Sequence, residues 1–386
     1  MKTWVEISSK RLTANYNSLQ HAAGPATILA VVKANAYGHS AELCAPILAR
    51  LGAPWLGVTD ADEGACVRKV LTAAKAPQPR ILTMSAPFAE DIPLLLEQNL
   101  TPVVWLPQHI EWLTAANKTD TPIPIHIELD TGMSRQGVPP GPELNALLAS
   151  LKTNTKLNVE GILTHFGSSE VPHSTHTQTQ RERFEKAMIS FKAAGISPTL
   201  IHAGSSSTLD VQDESFVWLT NLTATFNAQP MIRTGIALYG YCLPTTEPKL
   251  KRELQPVLTW KTRILALRDI VAGDTVGYNA TYTAAQPMRL ALLPIGYSDG
   301  LRRELSSTNI LPGGWAIIRG RKAPIIGRIS MNLTTVDVTQ IPDAAYDDEV
   351  TILGDNITAD DQAKLANTIS YEILCAIRAP RHLTIE

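Results

Sequence analysis

The chain has 386 residues, 44% of them hydrophobic, and a formal net charge of −2 at pH 7. This length predicts two or three domains with a large core, and the balanced charge argues against nucleic acid as a partner. The first residues lack the apolar core of a signal peptide, and no apolar run approaches the roughly 20 residues of a spanning helix. We therefore expect a cytoplasmic protein without membrane contact. The four cysteines lie far apart and are expected to be buried small hydrophobic residues rather than disulfide partners.

The first 240 residues alternate short β-branched runs with segments rich in Ala, Leu, Glu and Lys. Ser8 and Ser9 are N-cap candidates for a first helix that ends at Gly24-Pro25. Eight strand-like runs follow, at 28–32, 54–59, 80–84, 101–105, 123–129, 159–165, 199–204 and 231–238. This count predicts a (β/α)8 TIM barrel. Alternation alone leaves a doubly wound open sheet as an alternative, although the Gly-x-Gly-x-x-Gly turn of dinucleotide folds is missing.

The pattern changes after Tyr239-Gly240. Alternating runs punctuated by Gly and Pro, at 258–267, 289–294, 315–319 and 349–353, predict a mostly β second domain. We predict a barrel domain over residues 1–243 and a mostly β domain over 244–386, with the boundary in the polar stretch 244–253. A last helix is predicted over 360–369, with Thr358 as its N-cap.

Polar residues collect at the carboxyl ends of the predicted barrel strands, where barrel active sites lie. They are Lys33, Glu128, Asp130, Arg135, His165, His202, Ser205, Ser206, Ser207 and Arg233. A lysine at the end of a buried strand either escapes to solvent or serves amine chemistry. The Gly-Ser-Ser-Ser run at 204–207 is either a flexible turn or, beside Arg233, a phosphate site. A lysine together with a phosphate site suggests pyridoxal 5'-phosphate held as a Schiff base.

Eight motifs, in order along almost the whole chain, resemble those of the alanine racemase family. They lie at 31–39, 129–135, 163–166, 232–240, 276–278, 294–300, 327–331 and 369–372. The resemblance implies a pyridoxal phosphate enzyme that interconverts L- and D-alanine and supplies D-alanine for peptidoglycan. It also implies a homodimer in which the second domain of each subunit contributes to the partner's active site.

The resemblance assigns two bases, because inversion requires proton removal on one face of Cα and proton return on the other. Lys33 would hold the cofactor and act on one face, and the partner subunit's Tyr278 would act on the opposite face. Unperturbed lysine and tyrosine have pKa values of about 10, so both need help from their surroundings. We expect burial and Arg135 to favour the neutral amine of Lys33, and His165 or Arg233 to favour the phenolate of Tyr278.

The remaining positions follow from the matched motifs. Those that would bind the cofactor are Lys33, Tyr37, Arg135, His165, Ser206, Arg233, Gly235, Ile236 and Tyr371. Those that would meet the substrate are Arg135, Met331, Tyr297 and Tyr371. Arg233 would face the pyridine nitrogen and, as a permanent donor, would keep it unprotonated, while His202 would lie further out. We expect no metal site at His173 and His176, which fall in a polar segment, 172–180, predicted to be a solvated loop.

Three positions depart from the family pattern. Glu128 stands where many members have a lysine, often carbamylated, and is predicted to pair with Arg135 in its place. Ser205 stands where an asparagine is usual, and Asn332 stands where an aspartate is usual. Because both positions line or support the site, they bear on the preference for alanine. The alternative function is a racemase of serine, of another small amino acid or of broad specificity. A decarboxylase or aldolase of the same fold is disfavoured because Arg233 replaces the expected acidic partner. A one-domain cofactor binder is disfavoured because the second domain and Tyr278 are present.

Overall fold

The computed structural model describes residues 2–212, 214–243, 248–251 and 253–384. The chain forms two compact units: the first is Leu12–Ala36 with Ala41–Gln255, and the second is Met1–Arg11, Tyr37–Ser40 and Pro256–Glu386. The units are discontinuous, unlike the predicted ranges 1–243 and 244–386, because strand β1 (Thr3–Ser8) pairs with two strands from the last third of the chain. Residues 244–247 and 252 of the predicted boundary stretch lie outside the described residues.

The first unit contains the predicted closed barrel of eight parallel strands, which rules out the open-sheet alternative. Each strand pairs with the next, and the last pairs with the first through Thr27 and Met231. The strands are β2 (Thr27–Val31), β3 (Trp55–Val58), β4 (Arg80–Thr83), β5 (Thr101–Val104), β6 (Ile123–Leu129), β7 (Leu157–Thr164), β8 (Leu200–Ser205) and β9 (Gln229–Thr234). All residues of β3 and β5 are buried, which explains why Thr101 is the one polar residue in the two strands.

Helix α1 (Ser9–Ala23) starts where predicted, with the Arg11 N–H donating to Ser8 Oγ at 3.2 Å. A left-handed turn, numbered α2 (Lys33–Tyr37), follows β2. The next helices are α3 (Ala41–Arg50), α4 (Ala61–Ala73), α5 (Ile92–Glu97), α6 (Pro107–Ala116), α7 (Pro142–Leu151), α8 (Thr175–Ala193), α9 (Ser206–Val211) and α10 (Glu214–Thr225). The predicted loop at 172–180 is wrong from Thr175 onward, because Ser174 caps α8 by accepting the Thr177 N–H.

The second unit is mostly β, as predicted. Its strands besides β1 are β10 (Leu258–Arg263), β11 (Ala266–Ile270), β12 (Thr275–Val276), β13 (Tyr282–Thr283), β14 (Met288–Leu293), β15 (Trp315–Ile318), β16 (Arg321–Pro324), β17 (Thr334–Asp337), β18 (Glu349–Leu353) and β19 (Arg381–Thr384). The main sheet has the order β16-β15-β18-β10-β1-β19. The predicted run at 258–267 divides between β10 and β11, which belong to different sheets.

Thr358 caps helix α11 (Ala359–Leu365) as predicted, accepting the Asp361 N–H at 3.2 Å. The predicted extent to residue 369 is wrong, because α11 ends at Leu365 and a separate helix, α12 (Ser370–Ala376), follows. Short 3₁₀ turns lie at Ala89–Asp91, Ile236–Tyr239, Tyr278–Ala280, Tyr297–Asp299 and Arg303–Leu305.

The prediction for the cysteines is half right. Cys44 and Cys242 are buried, whereas Cys66 and Cys375 are exposed. In the described part of the chain, no helix combines the length and the apolar character needed to cross a membrane.

Candidate functional site

Lys33 does not end the first barrel strand but opens the left-handed turn α2. Ala34, Asn35, Ala36 and Tyr37 all have φ between 51° and 56°, a conformation that costs L-residues roughly 1–2 kcal/mol each. Two side chains compensate. Glu63 Oε1 accepts the Ala34 N–H at 2.7 Å, and Asn35 Oδ1 accepts the Ala41 N–H at 2.8 Å. The lysine is therefore placed by a strained backbone that its neighbours hold.

The loop that carries Arg135 is organised by the carboxylate of Asp130. Asp130 Oδ1 accepts backbone N–H groups from Gly132, Met133 and Ser134 at 2.9–3.1 Å. Such a side-chain turn holds the loop in one conformation without a regular element. It leaves Arg135 exposed at the carboxyl end of β6, where it can receive an anion.

Glu128 is buried just before this loop, and its hydrogen-bond partner differs from the predicted one. Gln136 Nε2 donates to Glu128 Oε2 at 2.5 Å, whereas the influence of Arg135 on Glu128 is through charge alone. Burial raises the pKa of Glu128, although the positive charges of Arg233 and Arg135 oppose that effect. The prediction that Glu128 bonds directly to Arg135 is therefore wrong; the amide of the following residue occupies that position.

The Arg233 guanidinium is buried between two histidines. Its Nη2 donates to the Thr164 carbonyl at 2.8 Å and lies 3.0 Å from His165 Nδ1. Its Nη1 lies 3.3 Å from His202 Nδ1 and 3.2 Å from the His202 carbonyl. Burial lowers the pKa of Arg233 to about 10, so it stays charged near neutrality. A guanidinium only donates, so both Nδ1 atoms must be unprotonated acceptors.

His165 is held neutral by its surroundings. Burial lowers the pKa of His165 to about 3, and the positive charges of Arg233, Arg135 and Lys33 act in the same direction. The four groups therefore share one electrostatic environment at the carboxyl end of the barrel. Three cations around a neutral ring form a site suited to an anionic ligand.

Ser206 organises the predicted phosphate site. Its hydroxyl oxygen accepts the Gly235 N–H at 3.1 Å and the Ala237 N–H at 3.3 Å, which brackets Ile236 in the same turn. With both lone pairs used, the single O–H of Ser206 remains available as a donor to an anion. The Gly-Ser-Ser-Ser run is not a flexible turn, because Ser206 and Ser207 are buried at the start of α9.

The terminal nitrogens of Arg233 make all four of its hydrogen-bond contacts with described residues, so its Nε–H remains for a ligand. Together with Ser206, this provides a donor for a ring nitrogen and a donor for a phosphate. The barrel residues therefore fit pyridoxal 5'-phosphate.

The remaining predicted residues lie in the second unit, where two pairs come together. The rings of Tyr37 and Tyr371 lie 5.9 Å apart between centroids. Tyr297 donates its N–H to the Ser330 carbonyl at 3.1 Å, and Ser298 donates its Oγ–H to the Met331 carbonyl at 2.8 Å. These bonds bring Tyr297 beside Met331.

Tyr278 projects from a turn whose shape depends on Gly277. Gly277 has φ +80°, and an added Cβ would lie 2.9 Å from the Arg328 nitrogen, so no larger residue fits. The side chain of Tyr278 is 65% exposed in the single chain. A large aromatic side chain in that position is available to another molecule.

Sequence reasoning missed Glu63, Gln136, His126 and Glu160. His126 is buried within β6 beside His202, and a histidine inside an apolar strand was the one available signal for it. Glu63 and Glu160 gave none, because acidic residues on a helix and near a strand start are ordinary. Among the described residues there is no cluster of three or more His, Cys, Asp or Glu side chains placed to hold a metal ion.

Comparison with known proteins covers nearly the whole chain. Residues 7–243 match the model of the alanine racemase N-terminal domain, and residues 257–383 that of the C-terminal domain. Alanine racemase from Syntrophobacter fumaroxidans is 36% identical over 381 residues, covering 97% of this chain and 95% of that protein. The protein of the same name from Symbiobacterium thermophilum is 33% identical over 389 residues, with 98% and 96% coverage.

Solved structures agree with the sequence relatives. Alanine racemase from Streptomyces coelicolor is 29% identical, with a TM-score of 0.84 and coverage of 100% of this chain and 98% of that one. The Bartonella henselae enzyme, solved with covalently bound pyridoxal phosphate, is 27% identical, with a TM-score of 0.83 and full coverage of both chains. The chain belongs to the alanine racemase family.

Proposed function

We propose that this chain interconverts L-alanine and D-alanine by a two-base mechanism and so supplies D-alanine for peptidoglycan. As a member of its family it is a pyridoxal-phosphate-dependent isomerase. The observation that carries the assignment is the buried, charged guanidinium of Arg233, which donates to His165 and His202 and leaves its Nε–H for the cofactor ring nitrogen.

The bound cofactor supplies a conjugated ring that stabilises negative charge at the substrate's Cα. Arg233 cannot accept a proton at neutral pH and so holds the ring nitrogen unprotonated, which limits charge transfer into the ring and disfavours transamination. Ser206, Gly235, Ile236, Tyr37 and Tyr371 hold the phosphate.

The substrate is positioned by its carboxylate. Arg135, held by the Asp130 turn, and the backbone N–H of Met331 receive this group, and Tyr297 and Tyr371 narrow the entrance. Lys33, which also anchors the cofactor, moves the proton on one face of Cα. The partner subunit's Tyr278 moves it on the other face, and His165 packs against the cofactor ring as a neutral group.

We further propose that the working form is a homodimer that shares its active sites. Tyr278 is 65% exposed, Met331 55% and Ile310 90% in the single chain. Exposed large side chains of this kind mark interaction surfaces. A symmetric dimer would bury the same surface on both copies and complete two sites at once.

The first experiment incubates the protein and pyridoxal phosphate with L-alanine, L-serine and other small L-amino acids, followed by chiral chromatography. D-Alanine should form fastest. D-Serine formed faster than D-alanine would favour the alternative substrate, a relevant outcome because Asn332 bonds to Ser298 at 2.6 Å next to Met331. Absence of every D-product would overturn the function, and a borohydride-reduced adduct on a residue other than Lys33 would overturn the anchor.

The second experiment tests the shared site separately. Lys33→Ala and Tyr278→Phe should each abolish racemisation as pure homodimers. Co-expressed in equal amounts, half of the dimers are mixed and half of their sites are intact, so about one quarter of the activity should return. If none returns while the unaltered protein racemises alanine, the function stands and the sharing of sites between subunits is wrong.

A further inference from the structure

A line of polar side chains crosses the inside of the barrel from the mouth that carries Arg233 toward the opposite mouth. Its members are Arg233 in β9, His202 in β8, His126 in β6, Glu160 in β7 and Arg80 at the start of β4. In a parallel barrel the strand starts share one mouth and the strand ends share the other. Arg80 begins its strand and Arg233 is next to last in its own, so the line runs from one mouth to the other.

The central contact joins two buried histidines. His126 Nδ1 lies 2.9 Å from His202 Nε2, and their rings are nearly perpendicular, with centroids 4.9 Å apart. Gly161 makes room for this arrangement, because a Cβ there would lie 2.5 Å from His126 Nδ1. The ladder between β6 and β7 is irregular at the same point, between Ile125 and His126.

Toward the opposite mouth, the line contains the carboxylate of Glu160 between His126 and Arg80. Glu160 Oε2 lies 3.5 Å from His126 Nε2, an ion-pair distance, and neither atom has a hydrogen-bond partner among the described residues. The other oxygen of Glu160 accepts a hydrogen bond from Arg80 Nη1. Arg80 also donates to Thr101 Oγ1 at 2.9 Å and stacks over the Trp55 ring at 4.2 Å, which keeps it in place.

The protonation states along the line follow from these groups. Burial lowers the pKa of His126 and holds that of His202 well below its usual value, so both rings are neutral near pH 7. Burial alone would raise the pKa of Glu160, but its interactions with His126 and Arg80 outweigh that effect and the pKa is lowered. Each ring therefore carries one N–H, and Glu160 can only accept.

Only one direction of donation satisfies both ends. Glu160 accepts, so His126 carries its proton on Nε2 and presents Nδ1 as an acceptor. His202 must then donate from Nε2, which leaves its Nδ1 unprotonated toward Arg233. Arg233 can only donate and therefore needs an unprotonated Nδ1 on His202. The Glu160 carboxylate favours this same tautomer of His202 from the other side of the two histidines.

We propose that Glu160 is a positioning residue for Arg233, acting through His126 and His202 to fix the tautomer that accepts the guanidinium N–H. The functional consequence rests on the proposed role of Arg233 at the cofactor ring. The tautomers themselves are a property of this chain's own side chains. They can be tested whether or not the chain racemises alanine.

Neutron diffraction from crystals of the cofactor-loaded protein in D₂O tests the tautomers directly. Deuterium is expected on Nε2 of both His126 and His202 and is expected to be absent from His202 Nδ1 at neutral pH. Deuterium on His202 Nδ1 or on His126 Nδ1 would overturn the proposal. This measurement uses the unaltered chain, so no variant has to fold.

Glu160→Gln tests whether the carboxylate is the cause. Arg80 only donates, so the oxygen of the introduced amide stays bonded to Arg80 and the amide NH₂ turns toward His126. His126 Nε2 must then accept, which moves the proton to the other ring nitrogen in both His126 and His202. His202 then directs an N–H at Arg233, and the guanidinium is displaced. Side-chain ¹⁵N NMR should show the proton of His202 on Nδ1, and the visible absorption band of the bound cofactor should shift.

The same variant separates positioning from substrate binding. The kcat for alanine should fall about tenfold with KM nearly unchanged. The reason is that the change disturbs Arg233 but not the residues that bind the substrate carboxylate. Asp355→Asn is the matched control, since it neutralises a carboxylate paired with Arg11 at 2.6 Å outside the barrel, and it should change none of these readouts. Unchanged tautomers in Glu160→Gln would show that the carboxylate does not set them and would refute the proposal.

Discussion

The carboxylate of Glu63 accepts two backbone hydrogen bonds, one just after the end of β2 and one just after the end of β3. One oxygen accepts the N–H of Ala34 at 2.7 Å, and the other accepts the N–H of Thr59 at 2.8 Å. Ala34 directly follows the lysine that anchors the cofactor in our proposal. A residue of helix α4, with no place in the family motifs that identified the site, thus holds the left-handed turn at its first residue.

Removing this carboxylate should loosen the turn. In Glu63→Ala, two backbone donors lose a charged acceptor, and we expect a loss of about 2 kcal/mol in the free energy of unfolding and weaker cofactor binding. Urea denaturation and cofactor titration followed by absorbance measure the two effects. Asp62→Ala changes the neighbouring exposed carboxylate of the same helix and is the control. Equal behaviour of the two variants would show that Glu63 does not support the turn.

Gly38 ends the left-handed turn under a stricter constraint. Its φ is +79°, and an added Cβ would lie 2.2 Å from the Leu374 carbonyl oxygen. Gly52 has a similar φ of +83°, with no atom within 4 Å of its virtual Cβ. Gly52→Ala should cost about 1 kcal/mol from backbone strain alone, whereas Gly38→Ala should cost several times as much. Thermal and urea unfolding of the pair measure the difference; equal costs would mean that the contact with Leu374 relaxes freely.

The charge of Glu128 should matter to the reaction more than its shape. Glu128→Gln retains a side chain of the same size beside Gln136 but removes the negative charge that balances Arg233 and Arg135. We expect kcat/KM for alanine to fall about tenfold, the equivalent of one lost charge interaction. Glu128→Asp, which keeps the charge, should lose less. Added bicarbonate should not change the activity of the unaltered protein, and full activity in Glu128→Gln would contradict the role.

His109 should make folding sensitive to acid. Its Nδ1 accepts backbone N–H groups from Trp105 and Leu106 at 3.3 Å, and burial lowers the pKa of His109 to about 4. Below about pH 6.5 the unfolded chain binds a proton that the folded chain refuses, so stability falls as the pH falls. Between pH 7 and pH 5 this histidine should account for a loss of about 2 kcal/mol.

His109→Asn retains an acceptor near the Nδ1 position and removes the titration. The difference in unfolding free energy between pH 7 and pH 5, from urea denaturation, should therefore shrink by about 2 kcal/mol relative to the unaltered chain. His21→Asn, at an exposed position, is the control and should leave the difference as it is. An unchanged acid sensitivity in His109→Asn would contradict the assignment.

The family and the barrel followed from sequence because their signals are local or ordered along the chain. A strand buried on both faces is an uninterrupted apolar run whichever strand lies beside it, and eight such runs alternating with helices define the barrel. The caps at Ser8 and Thr358 were equally local, since each side chain bonds to a backbone group three residues later. The order of the motifs then pointed to the cofactor and to Lys33.

Tertiary structure decided which atoms meet. The left-handed turn after Lys33 needs Glu63, and the hydrogen-bond partner of Glu128 is Gln136 rather than Arg135. In our proposal, the tautomer of His202 depends on Glu160 through His126. Hydrogen bonds depend on separations of about 3 Å and on which atom carries the proton. Folding sets both when it brings distant residues together, and no pattern along the chain records them.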